Sequence, residues 1–234
     1  MSGRQRCPSR PVSFLLVMAM LNNELFPHSA FTLAPETLAR LQHSVHALCD
    51  KPSSGAAGKP LYYRFLDSPV GPMIAMASDK GVVLLEFLDT VETITKEIND
   101  LRTRYGFALT GQDHPCLDAV QQQMDAYFAG QRHTFELALD APGTAFDETV
   151  WAHLQRIPYG RTCSYGDLAS EIGNGAHARI VGTANHRNRI SIVIPCHRVI
   201  GADGSLTGYG GGLPRKRWLL EFESVHACNA APAG

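Results

Sequence analysis

The chain has 234 residues, 44% hydrophobic and 18% charged, with a formal net charge of -1. This is the composition of a globular protein with room for one large domain or two small ones, and its net charge argues neither for nor against a nucleic-acid partner. Six cysteines, at 7, 49, 116, 163, 196 and 228, form no Cys-x-x-Cys pair and lie near no His pair at zinc-finger spacing, which argues against a metal framework; their wide spacing is unlike a secreted disulfide scaffold and predicts reduced thiols.

Arg4, Arg6 and Arg10 precede an apolar run from Val12 to Leu21. The pattern is like a signal peptide, but the run is too short to span a bilayer and no Ala-x-Ala-like site follows it. A core-packing segment or a poorly ordered extension is expected. Leu38, Leu41, Val45 and Leu48 recur at helical spacing, which predicts a helix over Pro35–Cys49 with proline in its first turn. Residues 51–60 have linker composition, so a boundary is expected near 60.

Residues 61–140 read as a small α+β domain. Strands are predicted over 61–66, 73–77 and 82–87, separated by turn chemistry that favours a meander. Helices are predicted over 91–104 and 115–128, the second with Leu117, Val120, Met124, Tyr127 and Phe128 on one stripe. No catalytic cluster stands out here, and a bracing role is expected.

Residues 144–226 carry the chemistry. A helix is predicted over 144–156. Ser164, with Asp167 three residues on, is a capping-box-like start for a helix to Ile172. A turn at Gly173, Asn174 and Gly175 leads into a second helix over 176–186, which together make a helix-turn-helix signature. The second helix is rich in small residues, and Arg179, Arg187 and Arg189 add positive charge. Residues 151–226 hold nine Lys and Arg against five Asp and Glu. A basic C-terminal half beside an acidic N-terminal half fits a DNA-facing domain carried by a non-binding one.

The apolar, β-branched stretch Ile190–Ile194 predicts a buried strand, which Pro195 must end. Cys196 is then presented at a strand end beside His197 and Arg198. Neighbouring cations favour the thiolate, which is the nucleophilic form. A glycine-rich strip, Gly208–Gly212, can let backbone approach a flat ligand, and a helix is predicted over 214–224.

The runs 185–188, 194–204, 207–213 and 215–220 resemble, without a gap, the catalytic half of the O6-alkylguanine-DNA alkyltransferases, the methylated-DNA–protein-cysteine methyltransferases. Tyr127–Arg132 and Phe135–Leu139 are similar to the end of that family's N-terminal domain, whereas residues 1–60 are not similar to it. The resemblance implies an α+β protein: a small N-terminal α/β domain of ribonuclease H-like fold over 61–140, and a mainly helical C-terminal domain over 144–226. It implies irreversible transfer of an alkyl group from O6 of guanine in DNA, with O4 of thymine a further candidate, to Cys196. His197 is implied as base through a water, Glu223 as the acid that orients it, and Asn188 as the brace of the active-site turn. Arg179 is implied to fill the gap left by an extruded base, Tyr165 to push on the target phosphate and bond the base, and Tyr209 to cover it. Asn174, Arg187 and Lys216 are implied as further DNA or base contacts.

A thioether product offers water no electrophilic carbonyl, so one turnover per molecule is expected, with no cofactor and no metal. The implied partner is double-stranded DNA carrying O6-alkylguanine, read in the minor groove by a monomer, with no membrane association. The implied location is the cytoplasm and nucleoid of a bacterium or the nucleus of a eukaryote. Arg189, His177, Gly210, Asp147 and Glu148 depart from the family pattern, and the two acids are expected to weaken binding to a phosphate backbone. A non-catalytic lesion-recognising helix-turn-helix protein is the alternative, but relatives of that kind lack the cysteine. A cysteine hydrolase would need an oxyanion hole, for which no motif stands out.

Overall fold

The computed structural model describes residues 10–11, 31–49, 58–111, 114–173 and 176–229. The chain forms two compact units, one of residues 28–142 and one of residues 1–27 with 143–234. The two-residue strand β1 (Arg10–Pro11) belongs to the second. The apolar run 12–21, most of the 51–60 linker and Asn174 lie outside the described residues. None of the described helices is long and apolar enough to cross a membrane.

The 28–142 unit opens with helix α1 (Pro35–Cys49) and continues through β2 (Lys59–Leu66), β3 (Met73–Ser78), β4 (Gly81–Phe87), α2 (Val91–Tyr105), β5 (Phe107–Gly111) and α3 (Pro115–Phe128). The sheet order is β4-β3-β2-β5. The predicted meander pairs antiparallel, and β5, which the sequence pattern did not announce, adds parallel to β2. A parallel neighbour needs a crossover, and α2 supplies it.

Every residue of β3 is buried. Ile74 and Met76 share one cluster with Leu41, Val45 and Leu48 of α1 and Ile94, Ile98 and Leu101 of α2. The alternate residues of a strand point the other way, where α3 packs on β3. Helix α1 is therefore part of this core rather than of a separate extension, and the boundary expected near 60 falls inside the unit. Beyond α3, the chain returns to cover β4: Val82 N–H donates to Ala138 O at 2.9 Å and Asp140 N–H to Val82 O at 2.8 Å. Gly81, at φ +150°, makes this approach possible, since a Cβ there would lie 2.3 Å from Ala138 O.

The 143–234 unit contains α4 (Ala145–Leu154), β6 (Arg161–Ser164), α5 (Tyr165–Ile172), α6 (Ala178–His186), a 3₁₀ turn (Cys196–Arg198), β7 (Val199–Ile200) and α7 (Leu213–Asn229). A small sheet of order β1-β6-β7 pairs β6 antiparallel to β1 and parallel to β7. Thr144 and Asp147 close a full capping box on α4. Ser164 caps α5: its hydroxyl accepts from Asp167 N–H at 3.0 Å and donates to the Asp167 carboxylate at 2.8 Å. The predicted helix pair is present as α5 and α6.

Two expectations fail. Ile190–Ile194 is buried but is not a strand: it runs as a turn, with Ile192 at φ +71°. Its burial reflects packing of a compact turn, and an apolar β-branched run does not distinguish the two. Cys163 is disulfide-bonded, against the expectation of reduced thiols, while Cys116 and Cys196 carry no disulfide.

Leu41, 1% exposed, tests the membership of α1 in the core. Leu41→Ala should cost about 2–5 kcal/mol in denaturant unfolding; a detachable helix would give almost no change.

Candidate active site

One side-chain amide organises the turn that holds the sulfur. Asn188, buried just beyond the end of α6, accepts from Ile190 N–H through Oδ1 at 3.0 Å. Its Nδ2 donates to Ile194 O at 2.9 Å and to Cys196 Sγ at 3.1 Å. A β-branched residue at positive φ is a backbone outlier that persists only where its surroundings over-determine it; the Asn188 bonds on either side of Ile192 supply that constraint. Cys196 carries no disulfide and is only 4% exposed.

Behind the sulfur lies a buried ionic cluster. His197 Nε2 lies 2.9 Å from Glu223 Oε1, on α7. Arg198 reaches the same carboxylate twice, Nε to Oε2 and Nη2 to Oε1, both at 2.9 Å. Gly160 N–H donates to Oε2 at 3.1 Å. Gly160 has φ +69°, and a Cβ there would come 2.6 Å from Ala227 Cβ, so only glycine lets this turn lie against α7. Nη1 of Arg198 donates to Ile157 O at 2.6 Å, and the guanidinium sits 5.7 Å from the Tyr159 ring centre.

Burial alone would push the Glu223 carboxyl up, but Arg198 and His197 hold it well below the usual carboxylate range. For His197, burial lowers the pKa, Glu223 opposes, and Arg198 and Lys216 add to the lowering; the net direction is down. An ionised Glu223 can only accept, so the His197 proton sits on Nε2. His197 Nδ1 is buried and makes no hydrogen bond among the described residues. The imidazole therefore does not bond the Cys196 sulfur directly.

Lys216 is fully buried on α7. Its Nζ donates to Val199 O and Thr207 O, both at 2.6 Å, clamping the segment after β7 to the helix. Burial brings its pKa down to about 8, opposed by the charge of Cys196. A DNA phosphate cannot reach this ammonium while the clamp holds. The aromatic residues lie on the same side. The Tyr209 ring stands edge-on to His197 at 6.4 Å. Tyr165 takes a hydrogen bond from Asn185 Nδ2 at 3.4 Å and another from Thr207, and its pKa is raised, mainly by burial.

Helix α6 turns Val181, Ala184 and Asn185 inward and leaves Arg179, Thr183, His186 and Arg187 exposed. Trp151 Nε1 donates to Ala184 O at 3.0 Å and so ties α6 to α4. Arg187, half-exposed, pairs with both oxygens of buried Asp147 at 2.9 and 3.0 Å. Asp147 thus faces a cation inside the fold, not a phosphate backbone, which corrects the expectation for that acid; Glu148 is exposed.

Two family models match the chain: the 6-O-methylguanine DNA methyltransferase ribonuclease-like domain over residues 61–141 and the DNA-binding domain of the same family over 145–225. A methylated-DNA–protein-cysteine methyltransferase of Mycobacterium tuberculosis is 42% identical over 167 residues, covering 71% of this chain and 94% of the relative. One from Methanosarcina acetivorans is 39% identical, covering 70% and 98%. The chain belongs to this methyltransferase family.

Solved family structures agree. The crystal structure of the M. tuberculosis O6-methylguanine methyltransferase is 41% identical with a TM-score of 0.60, covering 74% of this chain and 96% of that one. The M. tuberculosis protein in complex with DNA is 42% identical with a TM-score of 0.58, covering 70% and 94%. Within this methyltransferase, Cys196, His197, Glu223 and Asn188 meet in one cluster, with Tyr165, Tyr209 and Lys216 beside it and Arg179 on the exposed helix. Sequence reasoning missed the partners of Arg198. The residue stood out as a cation next to the thiol, but its guanidinium is engaged by Glu223, 25 positions away. Gly160 was read only as the end of a helix.

The cluster makes a stability prediction. Glu223→Gln leaves the Arg198 guanidinium, 6% exposed at its side chain, without its counter-charge. Breaking a buried pair in this way should cost about 3–5 kcal/mol, read as a lower urea midpoint at unchanged slope. A loss of a few tenths would mean that Arg198 finds another partner.

Proposed function

We propose that the protein repairs DNA by transferring an alkyl group from O6 of guanine in a duplex to Sγ of Cys196, once per molecule. The observation that carries this reading is a sulfur in no disulfide, held by Asn188 next to a His197–Glu223 pair. It lies in a unit whose α6 presents Arg179 to solvent.

The chemistry is substitution at a saturated carbon. The Cys196 thiol gives its proton through a water to His197 Nδ1, and Glu223 holds the resulting imidazolium. The thiolate attacks the alkyl carbon, a C–S bond forms, the C–O6 bond breaks, and the electron pair stays on the guanine oxygen. The departing base takes a proton, which we assign to the Tyr165 hydroxyl, and Tyr165 recovers its proton from solvent. No cofactor enters the balance. The thioether has no electrophilic carbonyl, so the sulfur is not regenerated.

O6 lies inside the stacked pair, and a cysteine only 4% exposed cannot reach it there. The nucleotide must swing out, at a cost of a few kcal/mol. Arg179, on the exposed face of α6, is the residue we assign to enter the minor groove and occupy the gap. We assign Tyr165 and Tyr209 to receive the base, and a monomer suffices for this reading because every residue invoked lies in one unit. Arg187 supports this surface indirectly, by holding α6 to α4 through Asp147.

Intact mass after incubation with an O6-methylguanine duplex should rise by one methyl group, on Cys196; a chain that keeps releasing product would be a hydrolase. Cys196→Ala should end transfer while leaving DNA binding. Arg179→Ala should slow transfer from duplex DNA by roughly ten- to a hundredfold, about 1.4–2.8 kcal/mol of activation free energy, while reaction with the free alkylated base is little changed; equal losses on both would remove the extrusion role.

A further inference from the structure

We propose that Arg198 is a positioning residue that fixes the protonation state of the relay: by engaging the charge of Glu223 it keeps His197 a neutral imidazole with its proton on Nε2, so that Nδ1 is free to take the proton of Cys196. The inference rests on the reading of Cys196 as nucleophile and extends it to a residue outside the nucleophile–base–acid set.

The geometry makes the case. Four donors reach the two oxygens of Glu223: Nη2 of Arg198 and Nε2 of His197 on Oε1, Nε of Arg198 and the Gly160 amide on Oε2. A carboxylate has about four acceptor positions, so these are filled. The Arg198 contact is the two-pronged one, at 2.9 Å on both arms, and a guanidinium cannot lose its proton. Arg198 and Glu223 therefore form a closed, neutral pair. A further proton on His197 would place a second buried cation beside one anion, with the Lys216 ammonium already acting on the same ring.

The other groups around His197 do not alter this balance. From α7 it meets Glu223 and Lys216, and the Tyr209 ring stands edge-on from the following segment. From α4, Asp147 is paired with Arg187, Glu148 is exposed and His153 bonds its own helix at Thr149 O. From β6, Arg161 is exposed and Cys163 is disulfide-bonded. From the turn between α4 and β6, Tyr159 lies beside the Arg198 guanidinium and is kept neutral by burial. Removing the Arg198 charge thus leaves Glu223 unbalanced. An unbalanced carboxylate holds a proton on the His197–Glu223 pair at higher pH, and a protonated His197 cannot accept one from the thiol. The sign follows: with Arg198 present the relay stays active to lower pH, and without it the acid limb moves upward.

The test is the rate of methyl transfer from an O6-methylguanine duplex to the full chain against pH, for the native protein, Arg198→Met and Arg198→Lys. The apparent pKa of the acid limb should rise by about one unit or more in Arg198→Met, and by less in Arg198→Lys, which keeps the charge but loses the fork. A slower or less stable Arg198→Met with the native pH profile would reduce Arg198 to an anchor and overturn the proposal. Nitrogen-15 NMR of His197 in the native chain gives a second decision that needs no variant. A neutral ring protonated on Nε2 at pH 7 is expected, and an imidazolium or an Nδ1-protonated ring at that pH overturns the proposal. A native protein that transfers nothing would instead sink the Cys196 reading, while the NMR result still judges Arg198.

Discussion

A carboxylate with no exposed surface is a heavy cost unless its charge is met on all sides, and Glu223 is such a group. Its partners come from two places in the chain, the turn at Gly160 and the 3₁₀ turn that carries His197 and Arg198, while α7 carries the acid itself. Meeting that one charge therefore fixes the distance between the end of α4, the 3₁₀ turn and α7. The catalytic turn is located by an electrostatic requirement more than by hydrogen-bonded strands, because β7 has only two residues. The burial that makes the pair costly also makes it specific. A displaced Glu223 would leave a guanidinium and an amide unsatisfied at once.

The second constraint is backbone geometry. Asn188 closes a loop around Ile192, whose positive φ costs about 1–3 kcal/mol wherever it occurs. The same amide also bonds the sulfur. Orientation of the nucleophile and stabilisation of the strained turn are thus coupled through one side chain. A reacting atom held this way loses little freedom on meeting its substrate, which is a recognised source of rate.

Local features were legible in the sequence because they depend on neighbours. The Ser164 cap and the stripe Leu117, Val120, Met124 and Tyr127 follow from spacing of a few residues. The motif around Cys196 gave the family and the cluster of Cys196, His197, Asn188 and Glu223. What escaped depends on distant pairing. Strand β5 is five residues ending in a glycine, and among the described strands it pairs with β2. Helix α1 reads alone as an amphipathic segment, and its burial is decided by α2 and the sheet. Ile190–Ile194 is apolar in either a strand or a tight turn, and the Asn188 bonds, not the hydrophobic pattern, choose the turn. The pairing of Arg187 with Asp147 spans 40 positions, and nothing between them signals it.

Distant pairing also reassigns the cations. Adjacency suggested that Arg198 favours the Cys196 thiolate, yet its guanidinium is neutralised by Glu223. The cation that senses the sulfur is Lys216, twenty residues on. The Cys196 charge raises the Lys216 pKa against the lowering effect of burial. Such an interaction is reciprocal: an ammonium held more firmly by a thiolate holds that thiolate in turn. Three positive groups in one small unit thus do separate things because they differ in burial and partner. Arg198 balances the Glu223 charge, Lys216 feels the charge of the sulfur while its carbonyl bonds fix the segment ahead of Tyr209, and Arg179, the exposed one of the three, stands on α6.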